Sequence, residues 1–89
     1  MRLDKFLKVS RLVKRRTLAK EVSDQGRILI NGRVAKPASE VEPGDVLELH
    51  WGGKKVTVEV LEVRPNVRAG EAKDLYRVVK EEVFGYQES

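Results

Sequence analysis

At Gly26 the hydrophobic pattern changes period, and no other feature constrains the fold as much. Before it, Leu3, Phe6, Leu7 and Ser10 recur at i, i+3, i+4 and i+7, the spacing of one helix face. This predicts a short helix over about residues 2–9, with Arg2, Lys5 and Lys8 on the opposite stripe. A bend near Ser10-Arg11, anchored by Leu12 and Val13, leads to a second helix over about residues 18–25. Thr17 stands where an N-cap is wanted, and Gly26 where helices commonly end in a left-handed residue. After Gly26 the period is two. RILI runs into Asn31-Gly32, a pair favoured in two-residue hairpins, and RVAK returns. EPGD at 42–45 predicts a tight turn. VLELHW and KVTVEVLEV alternate on either side of Gly52-Gly53 as a second hairpin.

Residues 64–74 read as a polar loop, and the stretch from 72 to 84 stays open between two readings. Leu75, Tyr76, Val79 and Val83 fit a helix; Tyr76, Val78 and Lys80, with β-branched Val78-Val79, fit a closing strand. The tail after Gly85 is expected to fray. The fold class is α+β: two short N-terminal helices packed on a small, mostly antiparallel sheet. Leu3, Leu7, Leu18, Ala19, Val22 and Ile28 are the expected core residues.

The charge divides along the same line. Residues 1–36 hold eleven Lys and Arg against three Asp and Glu, a balance of +8; residues 37–89 hold seven against eleven, a balance of −4. A helical pair carrying Arg2, Lys5, Lys8, Arg11, Arg15, Arg16 and Lys20 presents one basic surface. Only Asp4, Glu21 and Asp24 lie in that half as partners. Repulsion within such a set is relieved by a polyanion, and arginine forks match phosphate oxygens.

Other chemistries find little support. The chain has no cysteine, which removes disulfides, thiolate zinc sites and cysteine nucleophiles. His50 stands alone on a strand without a second ligand at metal spacing. Trp51 can stack on a base, although a lone tryptophan on a small sheet more often packs. The serines and threonines lack an activating base, and no glycine run cradles phosphates. No apolar run approaches the roughly 20 residues of a membrane span. The expectation is a cytoplasmic, non-enzymatic protein without a cofactor.

RLDKFLKVSRLVKRRTLAKE, then GRILINGRVAKPA, then PGD, together resemble the S4 RNA-binding domain over about residues 1–50. The resemblance implies an S4 domain over residues 1–63, with residues 64–89 as an extension packing on or extending the sheet. Among S4 proteins the chain is most similar to the stand-alone, heat-shock-type group, and within it to RqcP-type quality-control factors of Gram-positive bacteria. That likeness implies binding to a large (50S) ribosomal subunit left with peptidyl-tRNA, through rRNA and tRNA, while a partner factor, RqcH, directs C-terminal alanine tailing. It further implies a monomer. Matched residue by residue, Arg2 and Arg16 take the principal RNA positions, and Lys5, Lys8, Arg11 and Arg15 complete the surface. Asn31 and Gly32 match a hairpin turn shaping its edge, flanked by Lys36. Asp4 matches as a helix-start acid or a brace for a nearby arginine.

Two rivals remain. Heat-shock S4 proteins that recycle such subunits without tailing carry a long basic extension, whereas this chain ends in the acidic KEEVFGYQES. A DNA-binding helix-turn-helix needs base-reading side chains, and the second helix offers mainly Lys20 and Ser23 outward.

Overall fold

The computed structural model describes residues 1–84, apart from the Trp51 side chain, and divides helix from sheet at Gly26. Helices α1 (Leu3–Val9) and α2 (Arg16–Asp24) precede β1 (Ile28–Ile30), β2 (Arg33–Val34), β3 (Val46–Trp51) and β4 (Lys54–Val60). A 3₁₀ helix (Ala69–Leu75) and β5 (Tyr76–Val83) follow. The strands form one sheet in the order β2-β1-β3-β4-β5, each neighbouring pair antiparallel. One face of it is covered. Leu47, Leu49, Val58 and Val60 point with Ile28 into a core completed by Leu3, Phe6 and Leu7 of α1, Ala19 and Val22 of α2, and Leu75. The alternate residues Glu48, His50, Lys55 and Glu59 lie on the half-exposed face, as expected of an antiparallel sheet with one wet side.

Local chemistry sets the ends of the helices. A helix start leaves N–H groups without partners. For α1 the loop after β2 supplies them: the Leu3 N–H donates to the Ser39 carbonyl at 2.8 Å and the Asp4 N–H to that of Pro37 at 3.1 Å. At its other end the buried Ser10 hydroxyl donates to the Leu7 carbonyl at 3.2 Å, and Arg11 takes a left-handed φ of 65°. Helix α2 closes on Gly26, φ 74°, in a Schellman pattern: Gly26 N–H donates to the Ser23 carbonyl and Arg27 N–H to that of Val22, each at 3.1 Å.

The two turn motifs are one structure. Asn31 and Gly32, φ 52° and 84°, make the primed turn that joins β1 to β2. The Asn31 side chain then donates to Asp45 Oδ1 at 3.0 Å and accepts from the Val46 N–H at 2.9 Å. Asp45 closes the EPGD turn by accepting from the Glu42 N–H at 2.9 Å.

Several expectations are corrected. Thr17 is not the N-cap: α2 begins at Arg16, with extended Arg15 in the cap position and no side-chain cap bond. Leu18 is 44% exposed, because the core is met by Ala19 and Val22 on the neighbouring stripe. Ser23 does not face outward; it is fully buried, its hydroxyl donating to the Ala19 carbonyl at 2.7 Å. Within the expected loop 64–74 lies the start of the 3₁₀ helix, whose Ala72 and Leu75 fall three apart and are both buried. The ambiguous segment is a strand from Tyr76, with a register irregularity against Thr57/Val58 of β4. The expectations for the Trp51 side chain and the tail after Gly85 fall outside the described residues.

Candidate nucleic-acid interface

Apart from Arg68 and Lys73, which are exposed and form no ion pair among the described residues, the cations of this chain fall into two populations. On the sheet side, Lys54 pairs with Glu81, Lys55 with Glu48 and Glu82, Arg64 with Glu62, Arg77 with Glu59 and Lys80 with Glu82. The hydrogen bond and charge of Glu48 hold the Lys55 ammonium above its ordinary pKa. On the helical side, Arg2 and Arg16 share Asp4. Lys5, Lys8, Arg11, Lys14, Arg15, Lys20, Arg27, Arg33 and Lys36 form no ion pair among the described residues. All of these but the half-buried Lys5 are exposed.

The Arg2–Asp4–Arg16 cluster joins the starts of the two helices. Asp4 is buried, with a side chain only 4% exposed, while both arginines are half exposed. Its carboxylate accepts from Arg2 Nε at 3.1 Å and a second Arg2 nitrogen at 3.2 Å, a two-pronged contact, and from Arg16 at 3.5 Å. Burial would raise the Asp4 pKa. The Arg2 hydrogen bond, then the Arg16 and Arg2 charges, outweigh it and hold the carboxyl below the usual carboxylate value. One fixed anion therefore orients two guanidinium groups that each remain half exposed.

The other cations extend from this cluster. Lys20 follows Arg16 by four residues and lies on the same side of α2. Lys5 and Lys8 follow Arg2 along α1. Lys8 and Arg11 line one small hollow, and Lys14 and Arg15 line another. Arg11 carries its charge at a left-handed residue, a conformation that costs a non-glycine about 1–2 kcal/mol. Lys36 belongs to the loop that caps α1, next to Asp4 through the Pro37 carbonyl. The Asn31 side chain is engaged with Asp45 and Val46, bracing the turn that leads into Arg33. Lys14, Arg27 and Arg33, absent from the expected set, are as exposed and as unpaired as its members. Lys14 sits in the interhelical connection, where periodicity assigns no face; Arg33 follows the Asn31-Gly32 turn on an edge strand, and that position was the available signal.

No group of three His, Cys, Asp or Glu among the described residues is arranged to hold a metal ion. His50 Nε2 lies 3.8 Å from Glu48 on the sheet's outer face. Among the described residues no helix is long and apolar enough to cross a membrane.

The S4 domain family matches residues 1–47. The chain is 60% identical to the RQC P-site tRNA stabilizing factor of Bacillus subtilis, over 96% of this chain and 99% of the relative. It is 59% identical to the protein of the same name from Halalkalibacterium halodurans, over 99% and 100%. Among solved structures, the trimeric structure of Vibrio cholerae Heat Shock Protein 15 superposes with a TM-score of 0.82 at 36% identity, covering 89% of this chain and 81% of that one.

Proposed function

The chain belongs to the S4 domain family and, within it, to the RQC P-site tRNA stabilizing factors, and on that premise we propose that it binds the large ribosomal subunit still holding peptidyl-tRNA and keeps that tRNA in the P site. The observation that carries this reading is the division of the cations. Five cations on or beside β4 and β5 are each paired, whereas nine within residues 5–36 have no carboxylate partner among the described residues. Lysine and arginine on a rigid scaffold neutralise phosphates and release counterions. Folded RNA is recognised by shape, phosphates and 2′-hydroxyls, so a preformed basic surface needs little base readout.

In this proposal Arg2 and Arg16, set by Asp4, make the central phosphate contacts. Lys5, Lys8, Arg11, Arg15, Lys20 and Lys36 extend the contact along rRNA and tRNA backbones. Asn31 acts indirectly, by bracing the turn beside that surface. The protein works as a monomer in the cytoplasm and performs no chemistry. It holds one tRNA state while RqcH directs alanine tailing of the stalled chain. The likeness to Heat Shock Protein 15 supports a second reading, recycling of such subunits without tailing; the higher identity to the tRNA stabilizing factors favours the first. A DNA-reading role loses support with Ser23, whose buried hydroxyl leaves α2 without a base-reading partner for Lys20.

Arg16→Ala tests the surface. It is expected to weaken binding to tRNA-occupied large subunits by about 1–2 kcal/mol and to lower the slope of log K against log salt by about one. Filter binding across a salt series measures both, and unchanged affinity at matched salt counts against this placement.

A further inference from the structure

Leu18 is an exposed leucine in the most cationic part of the molecule, and it borders a hollow of about 430 Å³. Leu12, Val13 and Val22 complete its aliphatic lining; Val13 and Val22 are 5% and 9% exposed and form the floor. Lys14 and Arg27 stand on its rim, both exposed and both without an ion pair among the described residues. Past Leu18 it continues into a second hollow that adds Arg15. An apolar cleft edged by cations does not suit phosphate alone, because aliphatic walls gain nothing from a charged oxygen.

We infer that the hollow between Leu12 and Leu18 seats one unpaired nucleoside of the bound RNA, its ring against the aliphatic walls and its flanking phosphates on Lys14, Arg15 and Arg27. This rests on the RNA-binding reading above and adds a subsite to it. The space accommodates a base with its sugar. The rim is complementary to the two phosphates such a nucleotide carries, and Arg15 of the adjoining hollow belongs to the set proposed for the RNA backbone. Glu21 and Gln25 also line the hollow. The Glu21 carboxylate accepts from a base N–H, and the Gln25 amide can donate or accept, so the base edge meets polar partners without an aromatic platform. Single-stranded or bulged nucleotides, whose bases can be splayed out, are the usual targets of such pockets.

The test uses the full chain and large subunits carrying peptidyl-tRNA. Leu18→Ala, at a half-exposed position, is expected to keep the wild-type melting curve. It should weaken binding about tenfold with the salt slope unchanged, because apolar contact is lost and no phosphate is released. Benzoylphenylalanine placed at position 18 is expected to crosslink to a nucleotide of rRNA or tRNA, mapped by primer-extension arrest. Undiminished binding of Leu18→Ala, or a crosslink to a protein at that position, would overturn the inference while leaving the RNA surface standing. Failure of the wild type to bind these particles at any salt would remove the RNA reading and the subsite together.

Discussion

Replacing Lys8, Arg11, Arg15 and Lys20 together by glutamine is expected to weaken binding to tRNA-occupied large subunits about a thousandfold. Each is exposed and makes no ion pair among the described residues, so none holds the fold together through charge. At roughly 1 kcal/mol for each charge-assisted phosphate contact, four contacts sum to about 4 kcal/mol, close to three orders of magnitude. The salt slope should fall by about 3.6, from about 0.9 per neutralised phosphate. Thermal stability should stay the same or rise slightly, because removing four cations from a half-chain of balance +8 relieves repulsion. A drop in binding accompanied by an equal drop in melting temperature would mean that these side chains serve the fold instead.

Asp4→Ala is the second large effect, and it acts on fold and site at once. Its carboxylate is buried between two guanidinium groups, and its loss leaves both without their shared acceptor. Breaking a fully buried pair costs about 3–5 kcal/mol. Both arginines are half exposed, so screening lowers the expected loss to about 2 kcal/mol, measured by urea unfolding. Binding should fall as well, because Arg2 and Arg16 lose their orientation. The pH dependence has a definite sign. The folded-state pKa of Asp4 lies below its ordinary value near 3.8, so its contribution is complete above that value. It is lost as pH falls from there through the folded pKa. Asp4→Asn should therefore be less stable than the wild type at neutral pH, and the gap should close in that acid window. A gap that persists below it would place the effect in packing and not in charge.

The elements with local chemistry were legible in the sequence. Asn31-Gly32 dictates a primed hairpin turn because both residues tolerate positive φ, and Gly26 ends α2 for the same reason. The strands around Gly52-Gly53 follow from alternation alone. Residues whose neighbours are distant in sequence were harder to place. Thr17 had the chemistry of a cap, yet the helix starts before it, at Arg16. Leu18 shares an apolar face with Ala19 and Val22, all three expected in the core, and only the packing of α2 reveals that Leu18 is left exposed beside the other two. Val78 and Val79 sit at an irregularity in the β4–β5 register, which breaks the period-two signal there and lets a helix period fit equally well. The basic surface was legible as a charge excess. Its division into paired and unpaired cations was not, because several of the carboxylates that neutralise the sheet cations reach them across strands, as Glu81 reaches Lys54 and Glu59 reaches Arg77.

The central claim is that this surface selects a large subunit with tRNA in place. Co-sedimentation of the full chain with 70S ribosomes, with 50S subunits and with 50S subunits carrying peptidyl-tRNA, at two salt concentrations, tests it most directly. Selective binding to the tRNA-occupied 50S subunit, retained at the higher salt, is the predicted result. Weak binding to all three particles alike, erased at the higher salt, would contradict the account and leave only a generic basic domain.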